Sequence, residues 1–243
     1  MVRIASVLAC MLLLVAIGAQ ADTFVNFTPP SNGSLGSSTT TIGGIVIDGF
    51  ANGAIPLTTS ALLWGRNDNP ADHGLGVCSE GVPACTTGGG DVNELNQNGN
   101  AVSEVIRLTL PTGSSWVSVG VSSLDKNNQT DPLLYEQGIL YAGNSADGTG
   151  AVQICSFATG LVGPGSFCTM SGAAFEPDLT LTGFNNDKYL FFIAQAWEAG
   201  STNTNNDYLV RSATITVPEP SSMLLLGSGL VSLAGLVRRK INR

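Results

Sequence analysis

The chain of 243 residues contains one histidine, His73, and only 10 lysines and arginines. A single histidine excludes a multi-histidine metal site, and it permits a Ser-His-Asp triad only with His73 as the base. No Gly-x-Ser-x-Gly elbow is present to supply the serine. His73, beside Gly74 in a polar stretch, is therefore expected to be a turn residue. Between Asp22 and Val217 the basic residues are Arg66, Arg107, Lys126, Lys188 and Arg211, whereas the whole chain has 18 acidic residues and a formal net charge of −8. The basic footprint that nucleic acid or an anionic membrane surface requires is missing, so neither is an expected partner of the central region. A glycine loop followed by Lys-Ser/Thr, the usual phosphate cradle, is also missing. Between the two ends no helical apolar period is sustained, and 30 glycines argue against long soluble helices.

What is present is alternation. Strands are predicted at Phe24 to Phe27, Ile42 to Phe50, Ala61 to Trp64, Val102 to Leu110, Trp116 to Leu124, Gly138 to Ala142, Val152 to Phe157, Lys188 to Trp197 and Tyr208 to Val217. Pro111-Thr112-Gly113-Ser114 predicts a hairpin between the fourth and fifth of these. Residues 65 to 100 read as the longest irregular stretch. About eight to ten strands with polar Asn/Gly turns predict an all-β fold, an antiparallel β-sandwich of jelly-roll-like form, over residues 22–216.

Beyond Cys10 there are four cysteines, Cys78, Cys85, Cys155 and Cys168. Four allow three connectivities; nearest-neighbour pairing is preferred because each pair brackets a turn containing glycine and proline. Such staples stabilise by about 2.5 to 3 kcal/mol each on the chain-entropy model. A four-cysteine zinc site fits these spacings poorly. Asp91, Asn93 and Glu94 on a glycine-rich loop, with Asp68 and Asp72, offer hard oxygen ligands of the kind calcium takes. The competing account is that Asn and Asp satisfy tight turns through their own side chains. Glycoside hydrolysis needs two opposed carboxylates; Glu80, Glu94, Glu104, Glu136, Glu176 and Glu198 are candidates, with Trp64, Trp116 and Trp197 as possible sugar platforms.

The two ends carry targeting features. Arg3, an apolar core from Val7 to Ile17 and Ala19-Gln20-Ala21 form a signal peptide over residues 1–21, with the mature chain beginning at Asp22. At the other end stand Pro218-Glu219-Pro220, then an uncharged run from Ser221 to Val237, then Arg238, Arg239 and Lys240. As a helix the run from 221 to 237 spans roughly 25 Å, slightly short of a hydrocarbon core of about 30 Å. Snorkelling of the basic cluster makes up the difference, and the cluster itself is expected in the cytoplasm.

This terminal arrangement over residues 217–243 resembles the PEP-CTERM sorting signal of Gram-negative bacterial surface proteins. The resemblance implies that Pro218, Glu219 and Pro220 are recognised by exosortase, a membrane-embedded cysteine transpeptidase. It further implies that 221–237 is the membrane segment and that Arg238, Arg239 and Lys240 are the retention signal. The central region resembles an ectodomain type recurrent among such proteins, through Gly74-Leu75-Gly76-Val77-Cys78, Gly90-Asp91-Val92-Asn93-Glu94, Glu104-Val105-Ile106 and Asn206-Asp207-Tyr208-Leu209-Val210. That second resemblance implies a shared fold and no activity.

The expectation is a non-enzymatic protein, anchored in the inner membrane facing the periplasm, then sorted to the cell surface or exterior. Its expected role is structural or adhesive in an extracellular matrix or biofilm, with exopolysaccharide as a partner. The alternative is a secreted polysaccharide-acting hydrolase or a carbohydrate-binding module, which would show two converging carboxylates beside an aromatic platform.

Overall fold

Apolar side chains recurring at alternate positions make strands, and glycine, asparagine and serine between them make the turns. In the computed structural model the residues described are 20–51, 53, 55–68, 72–79, 93–98, 103–124, 135–163, 167–194, 205–218, 227–229 and 231. Sixteen strands are found among them, in two antiparallel sheets. The body, Phe24–Ile215, is one unit; the described residues of the two ends form a second.

The first sheet has the order β13 (Cys168–Ala173), β14 (Glu176–Leu181), β9 (Ser115–Ser122), β16 (Asn205–Pro218), β6 (Asp72–Cys78), β5 (Leu62–Asp68) and β2 (Gly33–Ser34). β1 (Gln20–Asn26) and β7 (Leu95–Asn98) also pair with β16. The second sheet has the order β12 (Leu161–Val162), β11 (Val152–Ala158), β10 (Gln137–Gly143), β15 (Tyr189–Ile193), β8 (Val105–Thr109), β4 (Ile45–Phe50) and β3 (Thr39–Ile42).

Register places the core. Ile47 stands opposite Leu108, and Leu108 opposite Leu190, so these side chains share one face of the second sheet. All three are fully buried, as are Leu63, Leu75, Val119, Val121 and Tyr208 of the first sheet. The two layers meet where Tyr208 on β16 packs edge-on against Phe157 on β11, with ring centroids 5.2 Å apart. The opposite face of the second sheet is covered as well. Phe50, Leu57, Val105, Tyr189, Phe191 and Ile193 form a separate cluster there. Arg107 lies over the Phe50 and Tyr189 rings at 5.2 and 5.3 Å and pairs with Asp48 at 2.7 Å. It also donates to the Ala146 carbonyl, which ties the loop after β10 over this cluster.

Two sequence expectations are corrected. Pro111-Thr112-Gly113-Ser114 does form a turn, with Ser114 N–H donating to the Pro111 carbonyl at 3.1 Å and Gly113 at φ 83°. It does not close a hairpin, because β8 pairs with β15 and β4 while β9 pairs with β14. The turn carries the chain from one sheet to the other, a distinction that alternation within each strand does not record. The stretch from 65 onward is also more regular than expected: β5 and β6 pair along their length, from Leu62 opposite Cys78 to Asp68 opposite Asp72. Accordingly His73 is a strand residue, with its Nδ1 3.4 Å from a Glu176 carboxylate oxygen.

Cys155 on β11 and Cys168 on β13 are joined by a disulfide, which links the second sheet to the edge of the first. Cys78 is also disulfide-bonded; Cys85, its expected partner, lies outside the described residues. With a sequence separation of 13, the Cys155–Cys168 link restricts the unfolded chain by about 3 kcal/mol. Replacing both cysteines by alanine is therefore expected to lower the unfolding free energy by about 3 kcal/mol in a denaturant titration.

Candidate functional site

The four central segments singled out in the sequence meet at one place. Gly76 on β6 has no side chain, and a Cβ there would collide with the backbone of Asn93 and Glu94. The residues leading into β7 can therefore lie against β6, where the Val77 N–H donates to the Glu94 carbonyl at 3.3 Å. Gly74 performs the same service for β16: at φ 146° it sits where a Cβ would come within 2.7 Å of the Val210 carbonyl oxygen. β7 then pairs with β16, with Asp207 opposite Asn96 and Tyr208 opposite Leu95.

Glu104, just before β8, fastens this junction. One of its carboxylate oxygens accepts from the Ser79 N–H at 3.1 Å and the other from the Asn96 N–H at 2.9 Å. Its own N–H donates to the Asn96 carbonyl at 2.9 Å. Asn206 does similar work on the far side, accepting from the Gln137 N–H at 3.0 Å and donating to Gln97 at 2.6 Å. Both side chains are buried, and their role is to satisfy backbone and amide groups that would otherwise lose water without replacement.

At the centre stands Arg66 of β5. Its guanidinium donates to one carboxylate oxygen of the buried Glu94, and also reaches Asp68 at 3.2 Å and Asp72 at 3.3 Å. Asp72 is held in turn by the Ser123 hydroxyl at 2.9 Å. Burial disfavours the Arg66 charge, but Glu94, Asp72 and Asp68 outweigh it and raise its pKa above the ordinary value. Glu94 is pushed well above the carboxylate range by burial first and then by the Asp207 charge, with Arg66 and Ser123 opposing. Burial and the like charges of Asp207 and Asp72 disfavour the ionised form of Glu94, while Asp68 and Asp72 also face the Arg66 guanidinium.

Chemically this is a closed polar hub. Glu94, expected as a calcium ligand, is engaged by Arg66; Asn93 is partly buried beside it; Asp91 lies outside the described residues. Among the described residues no group of three or more His, Cys, Asp or Glu side chains is arranged to hold a metal ion. Trp116 is fully buried, with its indole N–H on the Asp187 carbonyl at 2.9 Å, and Trp64 is also buried, so both are core residues. Arg66 was not singled out as a site residue in the sequence, although its partners Asp68, Asp72 and Glu94 were.

The hub yields a stability expectation with a defined sign. Arg66→Ala leaves the buried Glu94 carboxyl without its partner and is expected to cost about 3 kcal/mol or more in denaturant unfolding. A carboxyl whose folded pKa is raised contributes stability below its unfolded value of about 4.3 and loses it as pH rises through the raised folded value. Glu94→Gln is expected to remove that loss, flattening the stability–pH profile above about pH 4.3; an unchanged slope would contradict the assignment.

The second site is the end of β16. This strand is described as far as Pro218, a residue with no backbone N–H to donate. Pro218 is thus both the last strand residue and the first of Pro218-Glu219-Pro220. Glu219, Pro220, Arg238, Arg239 and Lys240 lie outside the described residues, as does most of the 221–237 segment; residues 227–229 and 231 within it are helical. Among the described residues no helix is long and apolar enough to cross a membrane.

No curated protein and no solved structure matches this chain. The model of the PEP-CTERM protein-sorting motif does match, over residues 216–240, beginning two residues before the Pro218 that ends β16. The chain accordingly carries a PEP-CTERM protein-sorting motif, the tag that directs an exported protein to exosortase.

Proposed function

We propose that this chain is a surface-displayed structural or adhesive protein of an extracellular matrix or biofilm. A signal peptide over residues 1–21 directs export. The jelly-roll-like β-sandwich over 22–216 is the ectodomain, and the helix over 221–237 holds it in the inner membrane facing the periplasm, with Arg238, Arg239 and Lys240 as the cytoplasmic stop. Exosortase recognises Pro218, Glu219 and Pro220 and transfers or releases the ectodomain to the cell surface or exterior, where exopolysaccharide is its partner.

The observation that carries this reading is the junction of fold and tag. The motif begins inside the last strand, so a cut after Pro220 removes the tail and leaves all sixteen described strands intact. Support for a non-catalytic role comes from the carboxylates themselves. Glu94 bonds to Arg66, and Glu104 gives both oxygens to backbone N–H groups, so these two candidates hold the fold together.

Deletion of the chain from its host is expected to weaken matrix cohesion, measured by rheology, while the chain length of the exopolysaccharide stays the same. Longer polysaccharide in the deletion strain would instead favour the secreted hydrolase.

A further inference from the structure

β1 pairs with β16, the strand that ends on the first residue of the sorting tripeptide. The pairing is seated where Val25 is buried and the Phe27 N–H donates to the Arg211 carbonyl at 2.8 Å. Gly43 makes room for that seat, since a Cβ there would meet the Val25 methyl carbons at 2.6 and 2.8 Å. From Gln20 to Phe24 every side chain is exposed, so pairing of the backbone, rather than burial, holds this half of β1.

Gln20 lies seven residues before Phe27, and Pro218 lies seven after Arg211. An antiparallel ladder through the Phe27–Arg211 contact therefore sets Gln20 opposite Pro218 and Ala21 opposite Val217. Gln20 is also the first residue of β1 and Pro218 the last described residue of β16, so in this register the two strands run out together. A parallel ladder through the same contact would put Gln20 beside residue 204, outside β16. The compact unit formed by the two ends agrees with the antiparallel choice, because it brings residues 20–23 together with residues 216–218. Hydrogen-bonded and non-bonded pairs alternate along such a ladder, so the bonded pair at Phe27 and Arg211 recurs at Ala21 and Val217. The Val217 N–H then donates to the Ala21 carbonyl, which belongs to the peptide bond cut on removal of the signal peptide.

We propose that the uncleaved N-terminus covers the approach to the sorting tag, and that cutting between Ala21 and Asp22 uncovers it. This rests on the export and processing proposed above. Gln20 and Ala21 engage the backbone of Pro218 and Val217, the groups through which an enzyme that binds an extended peptide takes hold of it. Cutting after Ala21 takes both residues out of the ladder and frees the last two of β16. The body gives up no buried side chain, because Gln20 and Ala21 are exposed. The form that exosortase engages is accordingly the chain beginning at Asp22.

Amide hydrogen exchange on the purified full precursor and on the chain beginning at Asp22, both in detergent, tests the cover without any processing enzyme. The Val217 amide is expected to exchange about tenfold or more faster in the chain from Asp22, while the Ala213 amide, opposite Val25 in the retained pairing, exchanges equally in both. Equal exchange at Val217 would overturn the inference. In the native host, Ala19→Arg removes a small residue that signal cleavage requires, and this variant is expected to keep its residues through Arg243. Loss of its tail to the wild-type extent would also overturn the inference. A wild-type chain that keeps its tail would contradict the proposed processing instead, and the exchange comparison still decides whether the tag is covered.

Discussion

The buried guanidinium of Arg66 is the constraint on which the rest of the body depends. A charge removed from water must be met by opposite charge and hydrogen bonds, and Glu94, Asp68 and Asp72 meet it from separate points of the chain. For Glu94 to reach it, the chain before β7 must lie against β6, which is possible because Gly76 leaves room. β7 then falls into register with β16, bringing Asp207 close enough for its charge to act on Glu94. Glu104 and Asn206 close the remaining backbone groups. Remove the arginine and the buried Glu94 loses its partner, leaving the junction to the Glu104 and Asn206 hydrogen bonds and the β7–β16 pairing.

β16 is the longest described strand, and it is paired with elements from the start and the middle of the chain. Its final residue opens the Pro218-Glu219-Pro220 tripeptide. The body's pairings and the first residue of the tag thus lie on one strand.

The all-β class, most of the strands and the terminal motif were legible in the sequence, because alternation, glycine-rich turns and the order of proline, apolar run and basic stop are local features. Partnership between strands was not. Val105 to Thr109 and Ser115 to Ser122 alternate well and are joined by a genuine turn, yet they belong to different sheets, and nothing within either strand encodes that choice. The β5–β6 pair was missed because its glycines, Gly65, Gly74 and Gly76, read as loop residues when they serve close backbone approach. The hub was half visible: Asp68, Asp72 and Glu94 were recognised as hard oxygen donors, and the cation they surround is Arg66, contributed by the chain itself.

The central claim is that this chain is exported and processed at its C-terminal tag. The most direct test is the intact mass, with mapping of both terminal peptides, of the protein recovered from its native host. The account expects a chain that begins at Asp22 and ends near Pro220. A chain that retains residues through Arg243 would contradict it and leave an unprocessed membrane-anchored ectodomain.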